Sequence, residues 1–184
     1  MWREISRFGQ KLVHSGLTHA HFGNISVRAG DGFIITTSGS MLDEIDENFL
    51  VQLDQCAGDV CPDKKASSET IVHRLIYQQT PARAIMHAHS PYAVALSLLS
   101  KEDYLEPRGM ESKSFLQRIP LVTGESGSEE LAVNLAAALG VYPAAIARGH
   151  GTFAVGNALS EAYVGICSVE HACQVHYLCS AGVY

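Results

Sequence analysis

The chain is expected to fold as one domain of α/β or α+β class. Three observations predict it. Segments with helical and with strand periodicity alternate from end to end, and an early pair of β-favouring runs is joined by a hairpin turn. The third is size: 184 residues of 47% hydrophobic content suffice for a single continuous core spanning 1–184.

The opening stretch reads as an amphipathic helix to about His14, with Trp2, Ile5, Phe8, Leu12 and Val13 as its apolar stripe and Gly16 beyond its end. Its charges at helical spacing set it apart from a secretory leader. Ile25 and Val27, then Phe33 to Thr36, predict two strands around the turn Ala29 to Gly32, so the sheet is not purely parallel. A polar loop, Thr37 to Ser40, and an acidic segment, Asp43 to Asn48, lead to a short strand at Leu50 to Leu53. Asp54 to Lys65 suits a surface connection carrying a turn. Ser67 or Ser68 is placed to cap a second helix whose core face is Ile71, Val72, Leu75 and Ile76, stopped by Pro81.

Arg83 to His89 reads as a strand, and Pro91 opens the helix carrying Val94, Leu96, Leu98 and Leu99. Residues 101–118 show no regular pattern, being mixed in charge and broken by Pro107 and Gly109. Regularity returns with a strand at Ile119 to Val122, a helix from Glu129 to Leu139 and a strand at Ala144 to Ala147. The turn Arg148 to Gly151 leads to Phe153 to Val155, and Ser160 is placed to cap a last helix through Leu178.

Composition excludes several function classes. A formal charge of −6, with 13 basic residues scattered along the chain, offers no stripe for a nucleic-acid backbone. No segment approaches the roughly 20 apolar residues that span a bilayer, so no membrane partner is expected. Five cysteines, an odd number without a CxxC pair, predict reduced thiols and a cytoplasmic protein. Neither a GxGxxG fingerprint nor a GxxxxGK[ST] phosphate loop occurs.

The chemistry lies in the histidines. In a strand, His87 and His89 of Met86-His87-Ala88-His89 project from one face, which brings both rings to one ion. A catalytic zinc takes three protein ligands and keeps one position open, and His150, between Gly149 and Gly151, is the best third ligand. Three imidazoles suit zinc, with another divalent transition metal as the alternative. Ser67 and Ser68 at a helix start, Asn24 in Gly23-Asn24-Ile25-Ser26, and the Thr37-Ser38-Gly39 loop offer neutral donors for an anion such as phosphate. Glu69 reads either as dipole compensation in a first helical turn or as a general base beside a metal. His73, His171 and His176 read as core or helix-face residues; His19 and His21 form a second HxH before a glycine turn with no obvious third ligand, with a place in a substrate loop as the alternative.

The motifs GNIS, TSG, SSE, HAH and GHG, in this order and at these separations, resemble the class II aldolase/adducin family, particularly its fuculose-1-phosphate aldolase branch. HAHSP followed by a helix and the later RGHG turn are the most specific parts of the likeness, which covers most of the chain. The resemblance implies a central, mostly antiparallel sheet flanked by helices on both sides, assembled as a homo-oligomer, a cyclic tetramer, with sites at subunit interfaces. It makes His87, His89 and His150 the zinc ligands, Asn24, Ser38, Gly39, Ser67 and Ser68 the phosphate pocket, and Glu69 the acid/base carboxylate.

The activity so implied is that of a class II, metal-dependent aldehyde-lyase. It cleaves or forms a ketose phosphate through a metal-stabilised enediolate of dihydroxyacetone phosphate, without a lysine Schiff base. Dehydration of a methylthioribulose phosphate, epimerisation or decarboxylation are alternatives on the same site, and a non-catalytic adducin-like domain is the bland one. Family aldolases bring a tyrosine from a neighbouring subunit, for which Tyr104 is the candidate here.

Overall fold

The computed structural model describes residues 1–54 and 66–180. Cys56, Cys61 and all of the expected connection after Asp54 therefore lie outside the described residues.

Six helices and eight strands are present among the described residues. Helix α1 (Trp2–His14) buries Ile5, Phe8 and Leu12, the stripe expected of a helix lying on a sheet. Strands β1 (Asn24–Ala29) and β2 (Gly32–Thr36) form the predicted hairpin, closing at the Ala29–Gly32 pair. The acidic segment forms two short 3-10 turns, Leu42–Glu44 and Glu47–Phe49, before β3 (Leu50–Asp54). There follow α2 (Thr70–Gln79), β4 (Ala84–Ala88) and α3 (Pro91–Leu99).

The region without a sequence pattern holds a two-residue strand, β5 (Tyr104–Leu105), and α4 (Met110–Leu116). The rest is β6 (Ile119–Val122), α5 (Glu129–Leu139), β7 (Ala144–Ala147), β8 (Gly151–Gly156) and α6 (Leu159–Ser180). No helix among the described residues is long and apolar enough to cross a membrane.

The strands join in the order β3-β2-β1-β4-β8-β7-β6-β5, and every pairing is antiparallel except the parallel β6–β7 pair. The sheet is covered on both faces. In β4, Ala84 and Met86 enter the core that Ile5, Leu96 and Ile166 build from α1, α3 and α6. Ile85 enters the opposite core, with Val72, Ile76 and Leu135 from α2 and α5. The same alternation recurs in β7, where Ala144 and Ile146 face one core and Ala145 and Ala147 the other. Because both faces are apolar, β4 and β7 are buried at every position, β4 even though it runs antiparallel to both of its neighbours.

Three boundaries differ from expectation. Neither Ser67 nor Ser68 caps α2: the cap position is Glu69, and Ser67 lies two residues earlier, its carbonyl accepting from Thr70 N at 3.0 Å. His89 stands just beyond the end of β4 instead of within it. Ser160 is the second residue of α6, which starts at Leu159, so it is not a cap. At that end the Glu161 carboxylate accepts from Asn157 N at 2.9 Å instead.

Candidate metal centre and its cavity

His87 is the penultimate residue of β4, opposite Asn24 of β1 and Phe153 of β8. Its ring lies flat on that of Phe153, centroids 3.9 Å apart and planes 12° apart. His87 Nδ1 lies 3.2 Å from the Thr152 carbonyl oxygen, which only accepts, so Nδ1 carries the hydrogen and Nε2 presents its lone pair. That lone pair points to His150 Nε2 at 3.2 Å.

His150 reaches this position on a braced turn. Arg148 donates to the carbonyls of Ser97 (2.6 Å), Ser100 (2.7 Å) and Glu102 (2.7 Å), tying the turn to the last residues of α3 and the segment beyond. Gly149 takes φ +73°, and at Gly151 a Cβ would press on the Ala88 carbonyl 2.5 Å away. The two glycines are thus required on either side of the histidine. On the other side Glu170 of α6 accepts from Tyr92 N (3.0 Å) and Ala93 N (2.9 Å), holding the start of α3 and the segment that carries His89.

The three rings meet as a cluster: ligand atoms of His87, His89 and His150 all lie within 4.8 Å of one another. Burial pushes the pKa of His87 well below the usual histidine value, with His150 and His89 adding repulsion. Burial, then His150, lowers His89 to about 4. Burial also lowers His150, and the Glu69 carboxylate works against it. All three are neutral imidazoles near pH 7, the form that ligates a cation. Nitrogens bound to one zinc at ~2.0–2.1 Å in tetrahedral array stand ~3.3 Å apart. The 3.2 Å between His87 and His150 Nε2 is close to that spacing.

One cavity of about 260 Å³ is lined by the three histidines, Glu69 and the residues expected to bind phosphate, Asn24, Ser38, Gly39, Ser67 and Ser68. Glu69 is 3% exposed, with Oε1 4.0 Å from His150 Nε2. Buried so, it is not a carboxylate compensating a helix dipole at the surface. Asn24 Nδ2 donates to Ser67 Oγ at 3.1 Å, which leaves the buried Asn24 Oδ1 without a partner. Ser67 Oγ also accepts from Glu69 N at 3.3 Å, while Ser68, Ser38 and Gly39 line the exposed rim. No lysine or arginine lines the cavity among the described residues, so an anion there meets neutral dipoles and whatever cation the histidines hold.

Three further residues belong to the site. His21, of the second HxH, lines the cavity, and Phe22 stacks on His89 with centroids 5.1 Å and planes 16° apart. Ser126, between β6 and α5, donates to Glu69 Oε1 at 2.5 Å. Its segment Gly124-Glu125-Ser126-Gly127-Ser128 reads in sequence as an ordinary strand-to-helix connection, and the glycine pair flanking a serine is the only signal that marks it. His19 lies outside the cavity lining, and Tyr104 lies in β5 with Arg118 over its ring at 4.4 Å, bordering a separate apolar cavity.

Comparison with known proteins places these features in a family. Residues 3–177 match the model of the Class II Aldolase and Adducin N-terminal domain. An L-fuculose phosphate aldolase of Methanococcus maripaludis is 35% identical, over 85% of this chain and 84% of its own. A methylthioribulose-1-phosphate dehydratase of Pseudoalteromonas translucida is 27% identical, over 88% of this chain and 83% of its own. The crystal structure of L-fuculose-1-phosphate aldolase from Thermus thermophilus superposes with a TM-score of 0.90 at 34% identity, covering 100% of this chain and 97% of that one.

Proposed function

The chain belongs to the class II aldolase and adducin family, and on that premise we propose that it is a metal-dependent aldehyde-lyase acting on a small ketose phosphate, as a fuculose-phosphate aldolase does. The observation that carries this reading is the convergence of three neutral imidazoles on one point beside a buried carboxylate, in a cavity walled by neutral donors. His87, His89 and His150 would hold the cation, zinc being the best match to three nitrogen ligands. When bound, it supplies a Lewis acid for the carbonyl and hydroxyl oxygens of the sugar.

The chain's own residues do the rest. Ser67, Ser68, Ser38, Gly39 and Asn24 bind the phosphate, which anchors the sugar with its carbonyl end toward the histidines. Glu69 takes a proton from the carbon next to the carbonyl of dihydroxyacetone phosphate in synthesis, and returns one to the enediolate in cleavage. We place the enzyme in the cytoplasm, in keeping with free Cys167, Cys173 and Cys179. We also assign it a homotetramer, in keeping with the exposed leucines at the end of α3, of which Leu98 (66% exposed) lies beside Gly149 of the His150 turn.

Incubating the zinc-loaded protein with ketose 1-phosphates tests the reading. Release of dihydroxyacetone phosphate supports an aldolase, and loss of water without chain cleavage turns the assignment to the dehydratase reaction named for the Pseudoalteromonas relative. Glu69→Gln is expected to keep zinc and fold while slowing solvent deuterium exchange into dihydroxyacetone phosphate by about 100-fold or more. Undiminished exchange would remove Glu69 from its role.

A further inference from the structure

We propose that Glu170 is a positioning residue: its carboxylate, on the last helix, caps α3 in place of a missing local cap and so fixes the backbone on which His89 stands. This rests on the metal-dependent reading above. Helix α3 starts with few partners of its own. Pro91 in its first turn has no N–H, and Ser90 at the cap position makes no capping bond, its buried Oγ lacking any hydrogen-bond partner. Val94 N is taken by the Ser90 carbonyl at 3.0 Å, which leaves the Tyr92 and Ala93 amides as the open donors. Both go to Glu170, one to each oxygen: Tyr92 N donates to Oε1 at 3.0 Å and Ala93 N to Oε2 at 2.9 Å. A negative charge there also meets the positive end of the helix dipole.

Of the three histidines, His89 depends most on its backbone. His87 stands within β4 and is braced through Nδ1 on the Thr152 carbonyl, and His150 sits on the turn that Arg148 ties down. His89 lies past the end of β4, and no hydrogen bond to its ring is recorded among the described residues. Its ring neighbours are His87, His150 and Phe22, the last 45% exposed. A metal-binding histidine is ordinarily oriented by a bond from its second nitrogen. Without one, the aim of the His89 ring follows the path of the chain. That path is pinned at Ala88, paired with Thr152 of β8, and next at Tyr92 and Ala93, where Glu170 takes hold.

Glu170 is a fixed point for this purpose. It lies within α6, which packs on β4 and β8 as well as on α3, and its neighbours Val169 and Cys173 are in the core. The carboxylate is half-buried and no ion pair is recorded for it among the described residues, so the two amides are what stabilises its charge. The far end of α3 is held separately, by Arg148 on the carbonyls of Ser97 and Ser100. Loss of Glu170 therefore frees the end next to His89. Glutamine cannot replace it, because its amide offers one acceptor oxygen and sets an NH₂ against the other N–H.

The test is zinc affinity by chelator competition, together with the visible spectrum of the cobalt(II)-loaded protein, which reports the arrangement of the ligands. The proteins are wild type, Glu170→Gln, His89→Ala, the double variant Glu170→Gln/His89→Ala, and Leu139→Ala. Leu139 borders a cavity at the opposite end of the β4–β8 pair, so its truncation destabilises the fold away from the histidines. Glu170→Gln should bind zinc about 10-fold more weakly and shift or weaken the cobalt bands. Leu139→Ala should match wild type in both. In the His89→Ala background Glu170→Gln should change zinc affinity by less than about twofold, since the effect acts through that ring.

A folded Glu170→Gln protein with wild-type zinc affinity and cobalt spectrum overturns the proposal. So does a loss of the same size in Leu139→Ala, which would make it a matter of general stability, or one that persists without His89. Should Glu170→Gln not fold, Glu170→Asp, which keeps the charge and lacks the reach to both amides, carries the same comparison. A wild type that takes up neither metal overturns the metal-dependent reading and this inference with it. A wild type that binds zinc yet leaves ketose phosphates unchanged overturns the proposed function alone, because the affinity comparison still decides the role of Glu170.

Discussion

Two histidines pack against the same phenylalanine in contrasting settings. His87 lies flat on Phe153 at 3.9 Å, and His73 of α2 meets the same ring edge-on at 6.3 Å. Both are buried and both are held neutral by burial, His73 at about 3. They differ in what faces them. His73 Nδ1 is 2.7 Å from Ser26 Oγ, which also lies 2.8 Å from the Tyr77 hydroxyl, and among the described residues its Nε2 has no hydrogen-bond partner and joins no ligand cluster. His87 spends Nδ1 on a carbonyl and turns Nε2 toward two further imidazoles. What distinguishes the two rings is the neighbour of the second nitrogen, not burial.

The strongest way to break this contrast is to remove each ring in turn. His87→Ala should weaken zinc binding by at least about 100-fold, more than outer-shell partners usually cost. His73→Leu should leave one zinc per chain, so metal analysis of the two purified variants decides the matter. Loss of zinc from the His73 variant would place both histidines in one functional unit. The same substitution should cost about 1–3 kcal/mol in urea unfolding, nearer the lower figure because Ser26 and Tyr77 remain bonded to each other.

A smaller effect sharpens the comparison through pH. The folded pKa of His73 is about 3, below the ordinary value of 6.5 in an unfolded chain, so between these values the unfolded chain binds the extra proton. The stability contributed by neutral His73 is complete above about 6.5 and is lost as pH falls toward 3. Metal-free His73→Leu should therefore lose less stability than wild type between pH 7 and pH 5. Parallel losses in the two proteins would sink the idea. The smallest effect concerns Phe22, stacked on His89 but 45% exposed. Phe22→Ala should weaken zinc by about threefold, the scale of one aromatic pair at an open edge.

Much of the framework was legible because side-chain period and turn chemistry act locally. The hairpin at Ala29 to Gly32 and the strands at Ala84, Ile119 and Ala144 lie where alternation and turn residues indicate them. The elements in residues 101–118 were not legible. Strand β5 has two residues and exists only through its pairing with Ile119 and Pro120, which no local pattern encodes. Helix α4 is seven residues long and buries only Ser112 and Leu116, too few positions to show a period. The start of α2 was misplaced because two serines before a helix both suit a cap. A contact from a distant strand, Asn24 to Ser67, holds that serine outside the helix.

By itself the sequence determined which residue types were available and in what local setting. It supplied a HxH at the end of a strand, a histidine between glycines and a carboxylate behind two serines. Only the tertiary structure decided that these meet, since His87 and His150 are 63 residues apart and their nitrogens 3.2 Å apart. Tertiary structure alone also chose between two similar histidines on either side of Phe153, and set a serine from the β6–α5 loop against Glu69 across 57 residues. The physical reason is common to all three. Periodicity and capping are short-range properties, whereas the partner of a buried nitrogen or oxygen is set by which elements pack together, and that information is carried by the whole core.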